Sequence, residues 1–225
     1  MMRINKFLAH SGIASRRAAE ELIKQGKIKI NGEIVEEVGK VIDENNDRVE
    51  YKGKAVKPQE ILVYIALNKP IGYVASVSSS QGTSVLALIN RSQRIYPVGR
   101  LDKDSRGLLI LTNDGDLAYE LTHARFGCEK EYLVEIDKRL SSADKKIMEQ
   151  GMLIEGKKLQ PVKVQFVKGY QIKMILKEGV NRQIRRMLGR LGYSVLDLRR
   201  IRVGKLALGN LKEGEWRKIK KEDII

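Results

Sequence analysis

The sequence predicts an α+β protein in which a small helical and hairpin module precedes a larger domain with a mixed or antiparallel sheet. First, apolar residues recur at helical spacing near the N-terminus and are followed by a hairpin signal. Second, strand patterns outnumber helical patterns from residue 61 onward, and the two do not alternate regularly. The length of 225 residues accommodates two domains, which we place at 1–60 and 61–225.

Local signals define the N-terminal module. Ser11–Gly12 interrupts a first helix, and Ser15 is placed to cap a second helix that ends at Gly26. Asn31–Gly32 lies between two short strand-like runs, and both residues tolerate the positive φ that a tight hairpin requires. The sequence therefore predicts helix, turn, helix and hairpin in succession.

Apolar patterning defines the larger domain. The predicted strands are ILVYIALNKPIGYV, GLLILTND, KEYLVEI, PVKVQFVKG and YQIKMILKEG, and the predicted helices are SVLALIN, GDLAYELTH, SSADKKIMEQGM and NRQIRRMLGRLG. This order favours a mixed or antiparallel sheet over a doubly wound fold.

Charge bounds the class of partner. The net charge is +15 and the isoelectric point is about 9.8, which is typical of proteins that bind RNA, DNA or an anionic membrane. No run approaches the roughly 18 apolar residues of a membrane span, and the N-terminus lacks a signal-peptide pattern. A single cysteine, Cys128, excludes a disulfide framework, and the two histidines are far apart. We expect a cytoplasmic nucleic-acid-binding protein without a bound metal.

Basic residues are concentrated in the N-terminal module. They are Arg3, Lys6, Arg16, Arg17, Lys24, Lys27 and Lys29. Because only Glu20 and Glu21 oppose them over residues 1–32, the cluster predicts a phosphate-binding face. A solvated helix surface is the alternative for any single lysine.

One carboxylate lies in a basic loop within YPVGRLDKDSRGLLILTNDGD. Asp102 stands between Arg100, Lys103 and Arg106, just before an apolar strand. A lone aspartate in a turn is ordinarily structural. The neighbouring cations favour an ionised carboxylate, which is suited to nucleophilic attack or to accepting a proton. If the loop is extended, Asp104 points away from Asp102, so a single catalytic carboxylate is expected.

A second basic cluster lies in LKEGVNRQIRRMLGRLGYSVLDLRRIRVGK. The apolar stripe of its helix is predicted to contain Ile184, Met187, Leu188 and Leu191. Arg182 and Arg186 then point away from the core, and Arg185 lies at the border, on the side of Asn181. From that border Arg185 can reach an active-site carboxylate. An amphipathic helix with a basic outer face is the alternative.

These pieces together resemble the RNA pseudouridine synthases of the RsuA/RluB/RluE/RluF family, over essentially the whole chain. The motifs are LNKPIG, YPVGRLDKDSRGLLILTNDGDL, EKEYLVEI, LKEGVNRQIRRM and GEWRKI. The N-terminal module resembles the RNA-binding domain of ribosomal protein S four. IALNKPIG, KEYLVEIDK and GRLGYSV are more similar to the RluF-type branch, which acts on 23S rRNA.

The resemblance implies roles for individual residues. Asp102 matches the nucleophile of uridine isomerisation, and Tyr132 matches the tyrosine that stacks on the base and helps to remove its C5 proton. Arg185 matches the basic residue that pairs with the aspartate. Without the resemblance, Tyr132 would be taken as a core aromatic. RNA contacts are expected from Lys69 and Arg100, which would hold phosphates, and from Asn181, Arg182, Gln183 and Arg186.

The implied function is isomerisation of a specific uridine in ribosomal RNA, with 23S favoured, after the base is flipped from its stack. No cofactor or metal is expected, and a monomer suffices. Isomerisation in 16S rRNA or tRNA, a non-catalytic assembly factor and a DNA-binding regulator are the alternatives. Arg106 departs from the family pattern, and we expect it to contact a phosphate or to be exposed.

Overall fold

The fold divides into two parts. A computed structural model describes residues 1–59, 61–90 and 93–225. The described residues form two compact units, Met1–Leu62 with Asn113–Gly115 and Val63–Thr112 with Asp116–Ile225. The domain boundary predicted at residue 60 falls on a position outside the described residues. Within the described ranges, no helix is long and apolar enough to cross a membrane.

The first unit contains the predicted helix, turn, helix and hairpin. Its elements are β1 (Met2–Arg3), α1 (Ile4–His10), α2 (Arg16–Lys24), β2 (Ile28–Ile30), β3 (Glu33–Ile34), β4 (Val41–Ile42), β5 (Val49–Tyr51) and β6 (Lys54–Ala55). Strands β3, β2, β5 and β6 lie side by side in that order and are antiparallel, and β1 pairs with β4.

The predicted local signals are confirmed in this unit. The Ser15 side chain accepts a hydrogen bond from the Ala18 amide at 3.2 Å and caps α2. Gly26 follows α2 with a φ of 64°. Asn31 and Gly32 have φ values of 52° and 90°, as a tight hairpin turn requires. Local residue choice thus specifies this unit.

Its core lies where α1 and α2 cover the strands. The buried side chains include Ile4, Phe7, Leu8, Ala19, Ile23, Ile28, Ile42 and Val49. The opposite side of α2 is exposed and carries Arg16, Arg17 and Lys24. The helix is therefore amphipathic, with its cations in solvent.

The second part of the chain supplies most of the strands. The remaining elements are β7 (Tyr64–Lys69), β8 (Tyr96–Pro97), β9 (Arg106–Thr112), α3 (Gly115–Thr122), β10 (Lys130–Ile136), α4 (Ser142–Gln150), β11 (Leu153–Ile154), β12 (Lys157–Lys158), β13 (Lys163–Lys168), β14 (Gln171–Leu176), α5 (Gln183–Arg190), β15 (Val195–Val203), β16 (Leu206–Ala207) and β17 (Trp216–Lys218). Short 3₁₀ turns occur at Val85–Leu88, Ala124–Phe126 and Lys221–Asp223.

A large mixed sheet organises the second unit. Its strand order is β13, β14, β10, β15, β9, β7 and β17, with β16 beside β15 and β8 beside β9. Strands β9 and β15 run parallel, while β7, β10 and β14 pair with their neighbours in antiparallel fashion. The predicted α+β class and mixed sheet are confirmed.

Strand β9 is covered on both faces. Leu108 and Ile110 pack in one apolar cluster, whereas Leu109 and Leu111 pack in another. Because side chains alternate along a strand, a continuous apolar run is needed where both faces are buried. This explains why the sequence is uniformly apolar directly after the basic loop.

The helix predicted over SVLALIN is shorter than expected. A 3₁₀ turn forms over Val85–Leu88, and the Val85 amide, which has no acceptor within the turn, donates to the Val74 carbonyl at 3.0 Å. The contact ties the segment to the preceding loop.

Strand β15 contains an irregularity that orients two arginines. Glu131 lies opposite Arg202, while Tyr132, the next residue of β10, lies opposite Arg200. Ile201 is therefore an extra residue, as in a β-bulge. Because partners across a ladder share a face, Arg200 and Arg202 point to opposite faces although they are two positions apart.

Candidate active site

A cleft in the second unit gathers most of the predicted catalytic residues. Its volume is about 220 Å³, and it is open to solvent on one side. Polar and charged residues of its lining are Arg100, Asp102, Ser105, Thr122, Lys130, Tyr132, Glu178, Asn181, Arg182, Gln183 and Arg200. They come from the loop before β9, from the end of α3, from β10 and β15, and from the start of α5 with the segment before it.

Asp102 lies in a tight turn. Its carbonyl accepts a hydrogen bond from the Ser105 amide at 3.0 Å, so the loop is not extended. Arg182 binds Asp104 through two hydrogen bonds of 3.0 Å each and lies 3.5 Å from Asp102 Oδ2. The expectation that Asp104 points away from Asp102 is therefore wrong, because the turn brings both carboxylates to one guanidinium.

The two carboxylates differ in their surroundings. Hydrogen bonds from Arg182, together with the charge of Arg185, hold the pKa of the Asp104 carboxyl below its usual range. The same contact raises the pKa of the Arg182 guanidinium. Asp102 has one longer ion pair, and its side chain is 28% exposed. Asp104 is thus fixed by its partners, and Asp102 remains accessible from the cleft.

Arg185 does not pair with Asp102 in this structure. Its Nη2 donates to the Asp104 carbonyl at 2.9 Å, and its Nη1 donates to the Val195 carbonyl at 3.2 Å. Arg182 lies next to Asp102 instead, and its backbone is left-handed, with a φ of 48°, directly before α5. Helical periodicity could not predict the position of the Arg182 side chain, since Arg182 lies outside the helix.

Tyr132 is placed in the cleft by the central sheet. It lies on β10 between Met174 of β14 and Arg200 of β15. Its half-buried ring packs against the adjoining cores, and it lines the same cleft as Asp102. One face of an aromatic ring is therefore available beside the carboxylate.

The expected phosphate contact of Lys69 is wrong. Lys69 is fully buried, and its Nζ donates to the carbonyls of Ser105 at 2.6 Å and Pro70 at 3.0 Å. Burial lowers the pKa of Lys69 to about 8. This ammonium fixes the end of the Asp102 turn and has no access to an RNA backbone.

Gln183 is likewise buried, against the expectation that it contacts RNA. Its Nε2 donates to Glu178 Oε1 at 2.8 Å, and its Oε1 accepts from the Val180 amide at 3.3 Å. Both hydrogen bonds lie within the segment before α5, so Gln183 shapes that segment.

Arg106 is neither exposed nor free to bind a phosphate. It donates to Asp197 at 2.8 and 2.9 Å and to Glu213 at 2.7 Å. These hydrogen bonds raise the pKa of its guanidinium. At the next position, Gly107 has a φ of 107°, and an added Cβ would lie 2.3 Å from the Arg200 carbonyl oxygen. Strands β9 and β15 are therefore held at close range.

The other predicted RNA contacts differ in exposure. Arg100 and Asn181 are exposed at the cleft, and Arg186 is paired with Glu155 at 2.6 Å. In the first unit the predicted contacts are Arg3, Lys6, Arg16, Arg17, Lys24 and Lys27. All of these are exposed except Lys6, which is half-buried, and Lys24 lies 3.2 Å from Glu21.

Several residues of the site were not predicted, among them Asp104, Lys130 and Arg200. Lys130 stands two positions before Tyr132 on one strand, so strand alternation could have placed it on the cleft face. Arg200 could not have been placed, because the irregularity at Ile201 resets the alternation.

Comparison with known proteins assigns this architecture to a protein family. A model of RNA pseudouridylate synthases matches residues 63–189, and a model of the S4 domain matches residues 2–49. The dual-specificity RNA pseudouridine synthase RluF of Salmonella typhi is 39% identical over 225 residues, which cover 99% of this chain and 77% of that protein.

Further relatives agree. The ribosomal large subunit pseudouridine synthase B of Bacillus subtilis is 38% identical over 232 residues, covering 100% of this chain and 94% of that protein. A crystal structure of a pseudouridylate synthase has a TM-score of 0.73 and 29% identity, covering 99% of this chain and 98% of the other.

Fold and cleft thus define an RNA-modifying enzyme in which an S4 domain precedes an isomerase domain. The chain belongs to the RNA pseudouridine synthase family. The resemblance to the RluF branch and the enzyme class predicted from the sequence are confirmed.

Proposed function

We propose that this enzyme converts a specific uridine of ribosomal RNA to pseudouridine, with 23S rRNA as the favoured substrate. The observation that carries the proposal is the accessible Asp102 carboxylate, held by Arg182 in a cleft that also contains the ring of Tyr132. The name of the Bacillus relative, a ribosomal large subunit enzyme, supports 23S rRNA. We place the enzyme in the cytoplasm, where this RNA is found, and propose a monomer, because one chain supplies the cleft residues.

The reaction exchanges two bonds of one nucleotide. The bond between N1 and C1′ breaks, C5 forms a bond to C1′, and the proton of C5 is lost while N1 gains one. No atom is gained and no redox change occurs, so the chemistry requires positioning, proton transfer and exclusion of water. The detached base must stay in the cleft while it turns.

Each proposed catalytic residue has a role that its location supports. Asp102 acts as the nucleophile towards the ribose or the base, or accepts a proton from the sugar. Tyr132 stacks on the flipped base and helps to remove the C5 proton. Arg185 positions the turn through the Asp104 carbonyl, and Arg182 supplies the cation beside Asp102.

RNA binding is assigned to exposed cations on both units. In the first unit, Arg3, Arg16, Arg17, Lys24 and Lys27 are proposed to bind phosphates, with a smaller share from Lys6. At the cleft, Arg100, Asn181 and Arg182 are proposed to contact the nucleotides that flank the target. The match to the S4 domain model supports this assignment.

A second RNA substrate is the alternative that an observation favours. The RluF relatives are named dual-specificity enzymes. Transfer RNA and 16S rRNA therefore belong in the substrate test.

The test is to map pseudouridine by carbodiimide labelling and primer extension in unmodified 23S rRNA, 16S rRNA and tRNA, as naked RNA and as assembly particles. We expect one new site in 23S rRNA with the wild type and none with Asp102→Asn. Asp137→Asn, a matched change of an exposed aspartate, should behave as the wild type. Full activity of Asp102→Asn would refute the assigned nucleophile, and tight RNA binding without any modified site would support an assembly factor.

A further inference from the structure

Two cations on the cleft face of β10 and β15 lack an acidic partner among the residues that the structure describes. Lys130 Nζ donates to the Cys128 carbonyl at 3.1 Å, and Arg200 Nε donates to the Leu108 carbonyl at 2.7 Å. Over residues 1–59, 61–90 and 93–225, no carboxylate lies within ion-pair distance of either side chain. Both line the cleft together with Asp102.

This arrangement costs folding stability. Arg200 is 3% exposed, and burial of a cation without a counter-charge is unfavourable. Burial and the neighbouring charge of Arg200 lower the pKa of Lys130, and Arg200 also lowers the pKa of buried Lys69. Three cations are therefore close together, and their hydrogen bonds to backbone carbonyls do not neutralise their charge. Such conflicts are typical of groups that serve a ligand.

The side chains of Lys130 and Arg200 lie on the same face of the β10–β15 pair. Lys130 and Tyr132 alternate onto the same face of β10, and Arg200 is the direct partner of Tyr132 across the ladder. An ammonium has three N–H donors and a guanidinium has five, so one carbonyl each leaves most of them unused. Both side chains line the same cleft as Tyr132.

We propose that Lys130 and Arg200 form a subsite that binds the carbonyl oxygens of the flipped uracil and stabilises the negative charge of the detached base. This inference rests on the proposed function. When the N1–C1′ bond breaks, both bonding electrons stay on N1, and the charge spreads to O2 and O4. It is neutralised when C5 bonds to C1′, the C5 proton leaves and N1 takes up a proton. The two cations act by hydrogen bonding alone.

A phosphate of the RNA backbone is a weaker candidate for this subsite. The apolar side chains of Ile110, Leu198 and Val203 line the same cleft, and a phosphate would lose hydration against them. A flat ring with two carbonyl oxygens can contact these side chains with its apolar atoms. The aromatic ring of Tyr132, which lies opposite Arg200 and two positions from Lys130, favours the same occupant.

The test separates binding from chemistry on an RNA that the wild type modifies. Single-turnover rate constants and dissociation constants are measured for the wild type, Lys130→Met, Lys130→Arg and Lys168→Met. We expect Lys130→Met to lower the rate constant about a hundredfold, with a dissociation constant within about twofold of wild type. Lys130→Arg keeps the charge and should retain most of the rate. Lys168, exposed on β13, is the matched control.

Weaker binding of Lys130→Met with an unchanged rate constant would assign the subsite to a phosphate and overturn the proposal. An unchanged rate and unchanged binding would overturn it as well. If the wild type itself modifies no RNA, the proposed function fails and the inference fails with it, so the wild-type measurement identifies which statement is wrong.

Thermal unfolding provides a second measurement that does not depend on activity. Because Lys130→Met removes a buried charge next to Arg200, we expect the variant to melt at or above the wild-type temperature. A fall of several degrees would assign Lys130 a structural role and overturn the proposal.

Discussion

Charged side chains have different kinds of partner on the two faces of the β10–β15 pair. On the outer face, Arg202 donates to Glu131 at 2.8 Å and to Glu129 at 3.2 Å, and Lys173 lies 2.8 Å from Glu131. On the cleft face, Arg200 donates to a backbone carbonyl, and no described carboxylate pairs with it. The same residue type, two positions apart, thus serves the fold on one face and a proposed ligand on the other.

The pairing on the outer face has a measurable consequence. Burial raises the pKa of the Glu131 carboxyl, but hydrogen bonds from Lys173 and Arg202 outweigh burial and hold that pKa below its usual range. A satisfied ion pair therefore stabilises the sheet, whereas the cations of the cleft do not. The difference separates residues that support the structure from residues that we propose bind a substrate, and it can be tested by measurements of stability.

Removing the outer-face cation should have the largest effect. We expect Arg202→Met to lower the free energy of unfolding by about 2 kcal/mol, because Glu131 would keep one partner and Glu129 would lose a close one. Urea denaturation provides the measurement, and Arg217→Met, a change of an exposed arginine on β17, is the matched control. If Arg202→Met and Lys130→Met destabilise the enzyme equally, the contrast between the faces is wrong.

The buried side chain of Lys69 should make the stability of the protein depend on pH. Its pKa of about 8 lies below the ordinary value of 10.5, so the unfolded chain holds this proton to higher pH. The cost of the buried ammonium is full below pH 8 and disappears as the pH rises towards 10.5. Relative to Lys69→Met, the wild type should gain stability on the order of 2 kcal/mol between roughly pH 7 and 10.

The measurement is urea denaturation of both proteins at the two pH values. Lys168→Met, in which an exposed lysine is replaced, should show a constant difference from the wild type. A constant difference for Lys69→Met too would mean that Lys69 stays protonated throughout.

Substitution of exposed cations should have the smallest effect, and it should change only the binding of RNA. Arg16→Ala combined with Arg17→Ala removes two solvent-exposed charges from α2. We expect RNA affinity to fall several-fold and the slope of log affinity against log salt to become shallower by about 1.5. Fluorescence anisotropy from roughly 50 to 200 mM salt measures both quantities. Equal loss in Lys168→Ala would indicate a general charge effect.

The sequence predicts those structural features whose signals lie within a few neighbouring residues. Ser15 and the Asn31–Gly32 pair act within a few residues, so the first unit follows from them almost entirely. Asp102 was found because its cationic neighbours are adjacent in sequence. The helix predicted over SVLALIN is only a 3₁₀ turn, and the contact of its Val85 amide with Val74 lies outside the sequence window that predicted it.

The errors in the site concern tertiary burial. Lys69 and Gln183 have side chains that usually face solvent, and only the packed structure shows that both are enclosed. Arg200 was overlooked because one extra residue, Ile201, changes which face of β15 it occupies. Neither enclosure nor an extra residue in a ladder leaves a periodic signal in the sequence.

The left-handed backbone of Arg182 should determine which residues are selected at this position. Four described residues other than glycine have positive φ, and three of them, Asn31, Lys52 and Glu155, stand directly before a glycine in a hairpin turn. Arg182 stands before α5 instead, where glycine or asparagine would adopt the conformation more easily. A library of variants selected only for folding should therefore drift away from arginine at this position, whereas selection for turnover should restore it.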